Sequence, residues 1–258
     1  MIDWADVNGV SLRYALTGEG PTTFVLLHEM GGSLETWDHV VGLLPHYRFL
    51  RYDMRGCGFS QKVRSLSFDD LVGDLEALLD LLEIHDPVVL SGIAVGAAVA
   101  VRYAARHQER VRQLILISIA TGIAPEQRAA TENLAQQIEK GGLRDRVDMR
   151  LPATFAEEFR DDPMRLRAFR GRALANDPAS YAAWYRMLLD LQLEGDLSRV
   201  ACPTLVLAGE KDGTRPPARV AHDAAAIPNY IFESVRSGHV MPALTPELVA
   251  NRLKTFAL

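Results

Sequence analysis

The sequence predicts an α/β fold in which a mostly parallel sheet carries helices on both faces. Short apolar runs, typical of buried parallel strands, alternate with longer stretches of helical periodicity in the first half of the chain. Between residues 121 and 197 only helical patterns occur, and strand patterns return afterwards. Strands separated by helices in this way form parallel sheets with right-handed crossovers.

The elements of the first half follow one another closely. Residues 10–16 alternate like an edge strand, and residues 22–28 are an almost continuous apolar run. Ser67 precedes a helix with one apolar stripe, and Asp69 and Asp70 suit the positive end of its dipole. The other predicted elements are a helix over 34–44, a strand over 47–53, a buried strand from about residue 87, a helix over 95–107 and a strand over 112–119.

The second half contains the interruption. Residues 121–197 are rich in Arg, Glu and Ala, and prolines divide them into several helical segments. Strands are predicted at 204–208 and 230–233, and Thr245 caps a final helix that has proline at its first position. We therefore expect a core of residues 1–120 and 198–258. A helical cap of residues 121–197, inserted after the sixth strand, would cover the edge where open α/β sheets bind ligands.

Composition narrows the functional classes. The net charge is only −5 and 48% of the residues are hydrophobic, so neither a nucleic acid nor a membrane surface is an expected partner. The N-terminus lacks a secretory pattern, and the longest apolar run is shorter than the roughly 20 residues of a membrane span. Cys57 and Cys202 are too few for a disulfide framework, and we expect a cytoplasmic protein.

A glycine-flanked turn after one buried strand is the most informative motif. The segment Gly92-Ile-Ala94-Val-Gly96 joins that strand to a helix of small residues. It has the pattern of a nucleophile elbow, G-x-S-x-G, in which the turn lifts one side chain above the sheet. Ala94 stands where the nucleophilic serine would be, so the frame is present without its hydroxyl.

Two later segments carry the groups that would activate a nucleophile. Asp212 lies in an acidic turn after one strand, and His239 follows Gly238 after the next. A hydroxyl is a poor nucleophile until a neutral imidazole removes its proton, and a carboxylate must hold that imidazole in one tautomer. We predict Asp212 as the acid, with Glu210 as its nearest competitor, and His239 as the base. The remaining histidines form no ligand set, so no metal site is predicted.

The loop of residues 28–32 follows another buried strand. Its two glycines let backbone amides approach a ligand, and such amides stabilise the negative oxygen of acyl transfer. Losing one such donor costs about 3 kcal/mol in the transition state. His28 itself is expected to pack and hydrogen-bond at the strand end.

In these motifs the chain resembles the α/β-hydrolases, and among them the lactonases and esterases that include 3-oxoadipate enol-lactonases. The resemblance rests on five segments in one order, covering nearly everything outside the cap: 28–32, 52–60, 92–96, 209–212 and 238–239. It implies Ala94 at the nucleophile position, Asp212 as acid and His239 as base. It also implies an oxyanion hole made by the backbone amides of Met30 and Val95, and no cofactor.

Two positions depart from the family pattern. Ala94 is open to three interpretations: a serine or cysteine replaced by alanine, a natural protein that keeps its pocket for binding, or an ordinary alanine in an unrelated turn. Glu29 stands where the family commonly has a small residue. Its carboxylate either contacts substrate or water, with a pKa raised by desolvation, or points away from the pocket.

Apolar side chains of the cap and of the segment after residue 32 are candidate pocket walls. With Glu29, the predicted substrate-pocket residues are Trp37, Met149, Phe155, Trp184, Tyr185, Met187 and Leu188. A run of arginines at 165, 167, 170 and 172 either binds a substrate carboxylate or forms a solvated helix face.

The predicted function is hydrolysis of a small carboxylic ester or lactone through an acyl-enzyme on a serine at position 94. With Ala94 the chain is expected to be inactive. One alternative is hydrolysis of a carbon–carbon bond in a dicarbonyl substrate by the same triad. Another is a non-catalytic protein that binds a small molecule in the capped pocket. The expected partner is a small-molecule substrate, and the sequence does not decide between a monomer and a homodimer.

Overall fold

A computed structural model describes residues 2–257 as one eight-stranded sheet covered by helices. The strands are β1 (Ile2–Val7), β2 (Val10–Thr17), β3 (Thr23–Leu27), β4 (Arg48–Tyr52), β5 (Val88–Ile93), β6 (Val111–Ile117), β7 (Thr204–Gly209) and β8 (Tyr230–Val235). The α-helices are α1 (Asp38–Gly42), α2 (Phe68–Leu81), α3 (Val95–Arg106), α4 (Arg128–Gly141), α5 (Arg144–Thr154), α6 (Pro163–Leu174), α7 (Pro178–Leu189), α8 (Glu194–Leu197), α9 (Pro217–Ala224), α10 (Met241–Leu244) and α11 (Pro246–Ala257).

The sheet is mostly parallel, as predicted. Its strand order is β1-β2-β4-β3-β5-β6-β7-β8. The β2 strand pairs antiparallel with both β1 and β4, and the other neighbouring strands are parallel to each other. The β1 strand was not expected from the sequence. It joins β2 through Asn8 and Gly9, whose φ angles of 46° and 74° suit a tight hairpin turn. This strand is largely exposed, so its residues lack the apolar pattern by which strands are recognised.

Helices cover both faces of the sheet. One face packs against α2, α3, α8 and α9, and the other against α1, α10 and α11. Ser67 caps α2 as predicted, in a reciprocal capping box with Asp70. The helix expected over 34–44 is a 3-10 turn over Leu34–Trp37 followed by the short α1.

The helical cap lies between β6 and β7, where the sequence placed it. Helices α4, α5 and α7 enclose a small core of their own around Ile138, Val147 and Tyr185. Side chains of α7 tie the cap to the core: Ser180 bonds both backbone groups of Val63 through its hydroxyl. Within residues 2–257 no helix is long and apolar enough to cross a membrane.

Candidate active site

Ala94 lies at the turn between β5 and α3 with φ 51° and ψ −110°. A non-glycine residue in such a sparsely populated region costs about 1–3 kcal/mol and persists only where its surroundings fix it. The Ala94 amide donates to the carbonyl of Ile117 at 2.9 Å, and its carbonyl accepts from the amides of Ala98 and Ala120. These bonds hold the strained turn, and Ala94 lines the cavity beneath the cap.

The two glycines of the elbow are required by close backbone contacts. A β-carbon at Gly92 would lie 2.3 Å from the carbonyl oxygen of Gly96. A β-carbon at Gly96 would lie 2.5 Å from the carbonyl oxygen of His28, at the end of β3. No side chain fits at either position, so the pattern that marked the elbow in the sequence has a steric cause.

Asp212 and His239 meet at the carboxyl ends of β7 and β8. Oδ2 of Asp212 lies 2.8 Å from Nδ1 of His239, and both side chains are buried. The other carboxylate oxygen, Oδ1, accepts from the amides of Thr214 and Arg215, each at 2.7 Å. Two loop amides thus clamp one oxygen and leave the second to orient the imidazole. Glu210, the competing acid, is exposed.

The pKa of the Asp212 carboxyl lies below its ordinary value. Burial alone would raise this pKa, but the hydrogen bond and charge of His239, together with the Arg215 amide, favour the ionised form more strongly. An ionised carboxylate only accepts hydrogen bonds, so Nδ1 of His239 carries a proton that it donates to Asp212. In the neutral imidazole, Nε2 is then the acceptor nitrogen, and His239 lines the same cavity as Ala94.

The cavity has a volume of about 560 Å³ and lies between the sheet edge and the cap. Met30 and Val95 both line it. Within residues 2–257, neither of their backbone amides donates to a protein acceptor. Val95 is also the first residue of α3, where the helix dipole favours negative charge. The cavity therefore joins a basic imidazole to two free amide donors.

His28 and Glu29 shape the loop that carries Met30. Nδ1 of His28 contacts the carbonyl oxygen of Glu29 at 2.6 Å, and Nε2 accepts from the amide of Met54 at 3.0 Å. Burial lowers the pKa of His28, which favours this neutral, structural role. Glu29 lines the cavity, and its carboxylate accepts from the Thr36 hydroxyl through Oε1, while Oε2 is buried without a partner among residues 2–257.

Several predicted pocket walls lie elsewhere and require correction. Glu29, Tyr185 and Leu188 line the cavity, whereas the following five do not: Trp37, Met149, Phe155, Trp184 and Met187. Trp37 is buried in the core between the sheet and the helices α1, α10 and α11, and Phe155 packs against the ring of Phe169. Met149 is 72% exposed on the outside of α5.

Trp184 and Met187 lie on the face of α7 that packs against the main core and not on the face that lines the cavity. Both pack into the main core, and Nε1 of Trp184 donates to the carbonyl of Arg55 at 3.1 Å. The cavity is lined instead by the face of α7 that carries Tyr181, Tyr185 and Leu188. Almost the whole helix is apolar, so its periodicity does not indicate which face meets a cavity.

Sequence reasoning missed most of the charged cavity wall. Of the arginine run in α6 only Arg172 lines the cavity, but four further arginines do so: Arg146, Arg150, Arg215 and Arg219. Because Arg215 follows the predicted acid Asp212 in the same loop, its place in the sequence could have identified it as a cavity residue. Within the described part of the chain, no group of three or more His, Cys, Asp or Glu side chains is placed to hold a metal ion.

Comparison with known sequences places this geometry among hydrolases. A family profile described as serine aminopeptidase, S33, matches residues 20–233. A pimeloyl-[acyl-carrier protein] methyl ester esterase of Aliivibrio salmonicida is 28% identical, over 84% of this chain and 83% of its own length. A 3-oxoadipate enol-lactonase of Acinetobacter baylyi is 26% identical, over 95% of this chain and 92% of its own length.

Solved structures agree. The enol-lactonase of Burkholderia xenovorans LB400 superposes with a TM-score of 0.91 at 26% identity, covering 99% of both chains. A thermophilic esterase of Thermogutta terrifontis, solved with malate bound, gives a TM-score of 0.91 at 26% identity, covering 99% of this chain and 96% of its own. The predicted α/β-hydrolase fold and the predicted likeness to enol-lactonases and esterases are confirmed.

Proposed function

Because the chain belongs to the α/β-hydrolase family described as serine aminopeptidase, S33, we propose that its cavity is an ester- or lactone-hydrolysing site with Ala94 at the nucleophile position. The two sequence relatives named above are an esterase and a lactonase, and both act on carboxylic esters. In this proposal Asp212 is the acid, His239 the base, and the amides of Met30 and Val95 form the oxyanion hole. The substrate is a small molecule enclosed by the cap.

The backbone of Ala94 carries the proposal. An alanine gains nothing from φ 51°, since its methyl group forms no hydrogen bond, and the turn stores strain. The same turn with a serine would present a hydroxyl to the cavity that His239 also lines. A strained turn, an oriented imidazole and two free amides in one cavity support a site built around a side chain that Ala94 lacks.

With serine at position 94 the chemistry follows from the geometry. Nε2 of His239 takes the hydroxyl proton as the oxygen attacks the carbonyl, and the amides of Met30 and Val95 stabilise the tetrahedral oxyanion. His239 then returns the proton to the leaving alkoxide, which leaves an acyl-enzyme. Water, deprotonated by His239, attacks the acyl carbon and releases the acid and the free serine.

With Ala94 no acyl-enzyme can form, because a methyl group is not a nucleophile. Loss of the nucleophilic serine costs a serine hydrolase on the order of 10⁶-fold in kcat. The cavity, Asp212 and His239 do not depend on that hydroxyl. The chain as it stands is therefore proposed to bind its substrate without turnover, which is also how a small-molecule binding protein would use the site.

The test is a gain of activity in Ala94→Ser. We expect this variant to hydrolyse p-nitrophenyl esters and simple lactones, and to be labelled at residue 94 by a fluorophosphonate, read as a mass increase of the intact protein. Ala173→Ser is the matched control, because it adds a hydroxyl to the same cavity from the cap helix α6 and not from the elbow. Neither Ala173→Ser nor the unaltered chain should react.

The remaining outcomes separate the alternatives. Adding His239→Ala to Ala94→Ser should abolish both hydrolysis and labelling. Cleavage of 1,3-diketones with esters and lactones untouched would replace the proposal with carbon–carbon bond hydrolysis. If Ala94→Ser stays inert and unlabelled while the unaltered chain binds small ligands, the site is a binding site and the hydrolase proposal fails.

A further inference from the structure

The cavity wall is strongly basic although the chain is acidic overall. Two glutamates, Glu29 and Glu126, face five arginines, and the whole chain carries a net charge of −5. The five arginines come from three cap and core segments that the fold brings together: Arg146, Arg150, Arg172, Arg215 and Arg219. An apolar ester or lactone would gain nothing from such a wall.

Most of these arginines lack a carboxylate partner. Arg219 forms an ion pair with Asp223 at 2.9 Å, but within residues 2–257 the other four have no carboxylate within 4.0 Å. Arg146 donates to the Tyr185 hydroxyl, and Arg150 donates to a threonine hydroxyl at 3.0 Å. Neutral hydroxyls orient a guanidinium without neutralising it.

Two arginines of the cap outside the cavity are each held by a carboxylate in two hydrogen bonds. Arg170 on α6 makes two hydrogen bonds to Asp148, and Arg186 on α7 makes two to Glu139. Both pairs lie outside the cavity lining. Three further cap arginines outside the lining have no carboxylate within 4.0 Å among residues 2–257: Arg144, Arg160 and Arg167. The unpaired arginines of the cavity wall are distinguished instead by being half-buried around one shared cavity.

Arg150 and Arg215 meet at the acid loop, and Arg146 lines the same cavity from α5. The amide of Gly213 donates to the carbonyl of Ala153 at 3.2 Å, which docks the end of α5 onto the loop after Asp212. Arg150 thereby reaches Thr214, next to Arg215, and Arg146 lies one helical turn before Arg150 on the same side of α5. Burial lowers the pKa of Arg215, and the charges of Arg219 and Arg150 add to this shift against the opposing charges of Asp223 and Asp212.

We infer that Arg146, Arg150 and Arg215, here called the arginine cluster, bind an anionic acid group of the substrate that is distinct from the acyl group cleaved. All three are half-buried, so their guanidinium groups lose part of their hydration without gaining a counter-ion, and a substrate carboxylate or phosphate would supply the missing partner. The planar guanidinium matches both groups through paired hydrogen bonds. The inference rests on the proposed function and names its substrate class: monoesters or lactones that carry a free acid.

The first experiment measures binding by calorimetry to the unaltered chain, so it does not depend on turnover. The ligands are succinate, glutarate and adipate, inorganic phosphate, and adipamide as a neutral analogue. At least one anion should bind and adipamide should not, and the preference between dicarboxylates and phosphate identifies the acid group. If no anion binds, or adipamide binds equally well, the inference is overturned.

Variants then assign the binding to the arginine cluster. Arg150→Gln and Arg215→Gln should each weaken anion binding about tenfold to hundredfold, as expected for hydrogen bonds to charged groups. Arg150→Lys should recover part of that loss because it keeps the charge. Arg167→Gln is the matched control, since Arg167 is exposed on α6 outside the cavity. Unchanged affinity in both cluster variants, with folding checked by thermal unfolding, would contradict the assignment.

The second experiment uses Ala94→Ser with monomethyl and dimethyl adipate. The monoester should have the higher kcat/KM, and adding Arg150→Gln should lower kcat/KM for the monoester far more than for the diester. Adding Arg167→Gln instead should leave both rates unchanged, because Arg167 lies outside the cavity. Equal rates on both esters would refute the inference and leave the hydrolase proposal standing. Cluster-dependent anion binding with no ester cleaved would refute the hydrolase proposal and leave the anion site standing.

Discussion

Gly96 lies against the carbonyl oxygen of His28 so closely that a β-carbon at position 96 would be 2.5 Å from it. The contact brings the start of α3 against the end of β3. Since the amide of Val95 begins α3 and Met30 follows β3, the same contact sets the spacing of the two free amides. The elbow glycine is thus a constraint on the oxyanion side of the cavity as well as on the turn.

We expect Gly96→Ala to destabilise the protein by 3 kcal/mol or more, about the upper range for a single substitution. The new β-carbon would meet the backbone oxygens of Leu27 and His28, which cannot rotate away. Gly171→Ala is the control, because Gly171 lies in α6 with open space around it and should gain about 0.5–1 kcal/mol. Urea unfolding checks both, and equal midpoints would contradict the steric argument.

Ala94→Gly should stabilise the fold by about 1 kcal/mol, because glycine adopts φ 51° without the strain of a β-carbon. The same exchange one helical turn later, Ala98→Gly, should have the opposite sign. Ala98 is buried in the interior of α3, where glycine costs about 1 kcal/mol. Differential scanning calorimetry of the two variants measures this, and a destabilising Ala94→Gly would mean that the turn is not strained.

Asp212→Asn tests the clamp on the carboxylate through its pH dependence. A lowered pKa means that Asp212 contributes stability above its unfolded value of about 3.9 and loses that contribution as the pH falls through the folded value. At pH 7 the variant should be about 1–3 kcal/mol less stable than the unaltered chain. The difference should shrink near pH 3. Guanidinium unfolding at both pH values provides the measurement, and a difference independent of pH would be the contrary result.

Trp184→Phe and Trp37→Phe form a matched pair. Both tryptophans are fully buried, but Nε1 of Trp184 donates to the carbonyl of Arg55, whereas Nε1 of Trp37 has no partner among residues 2–257. Both variants lose similar volume, and only the first leaves a carbonyl unsatisfied. We expect Trp184→Phe to cost about 1–2 kcal/mol more than Trp37→Phe in chemical unfolding. A reversed order would show that packing outweighs this hydrogen bond.

The sequence was sufficient for the parts of this molecule that depend on local patterns. Gly92 and Gly96 flank the elbow because their neighbours leave no room for a side chain. This steric requirement fixes glycine at both positions, so the elbow can be recognised from the sequence pattern alone. Asp212 and His239 each follow a predicted strand, and parallel strands bring their carboxyl ends to one edge. Their pairing therefore needed only the strand pattern and the residue types.

The cavity wall depends on how helices are rotated against the sheet, which local patterns do not encode. Trp184 and Tyr185 are neighbours on α7, yet one lies in the main core and the other faces the cavity. Arg150 and Thr214 are far apart in sequence and meet only because α5 docks on the acid loop. Such contacts follow from tertiary packing, so neither apolar periodicity nor charge spacing identifies them.

The hydrogen bond from Gly213 to Ala153 has a consequence for engineering this chain. It crosses from the helical insertion to the turn that orients the imidazole, so the insertion is not an interchangeable lid. If α5 were replaced by the helix of a relative without that relative's turn after β7, this hydrogen bond would be lost and Asp212 would be misplaced, even where the exchanged segments join without strain. Recombination between relatives should therefore exchange the insertion and the segment after β7 as one unit.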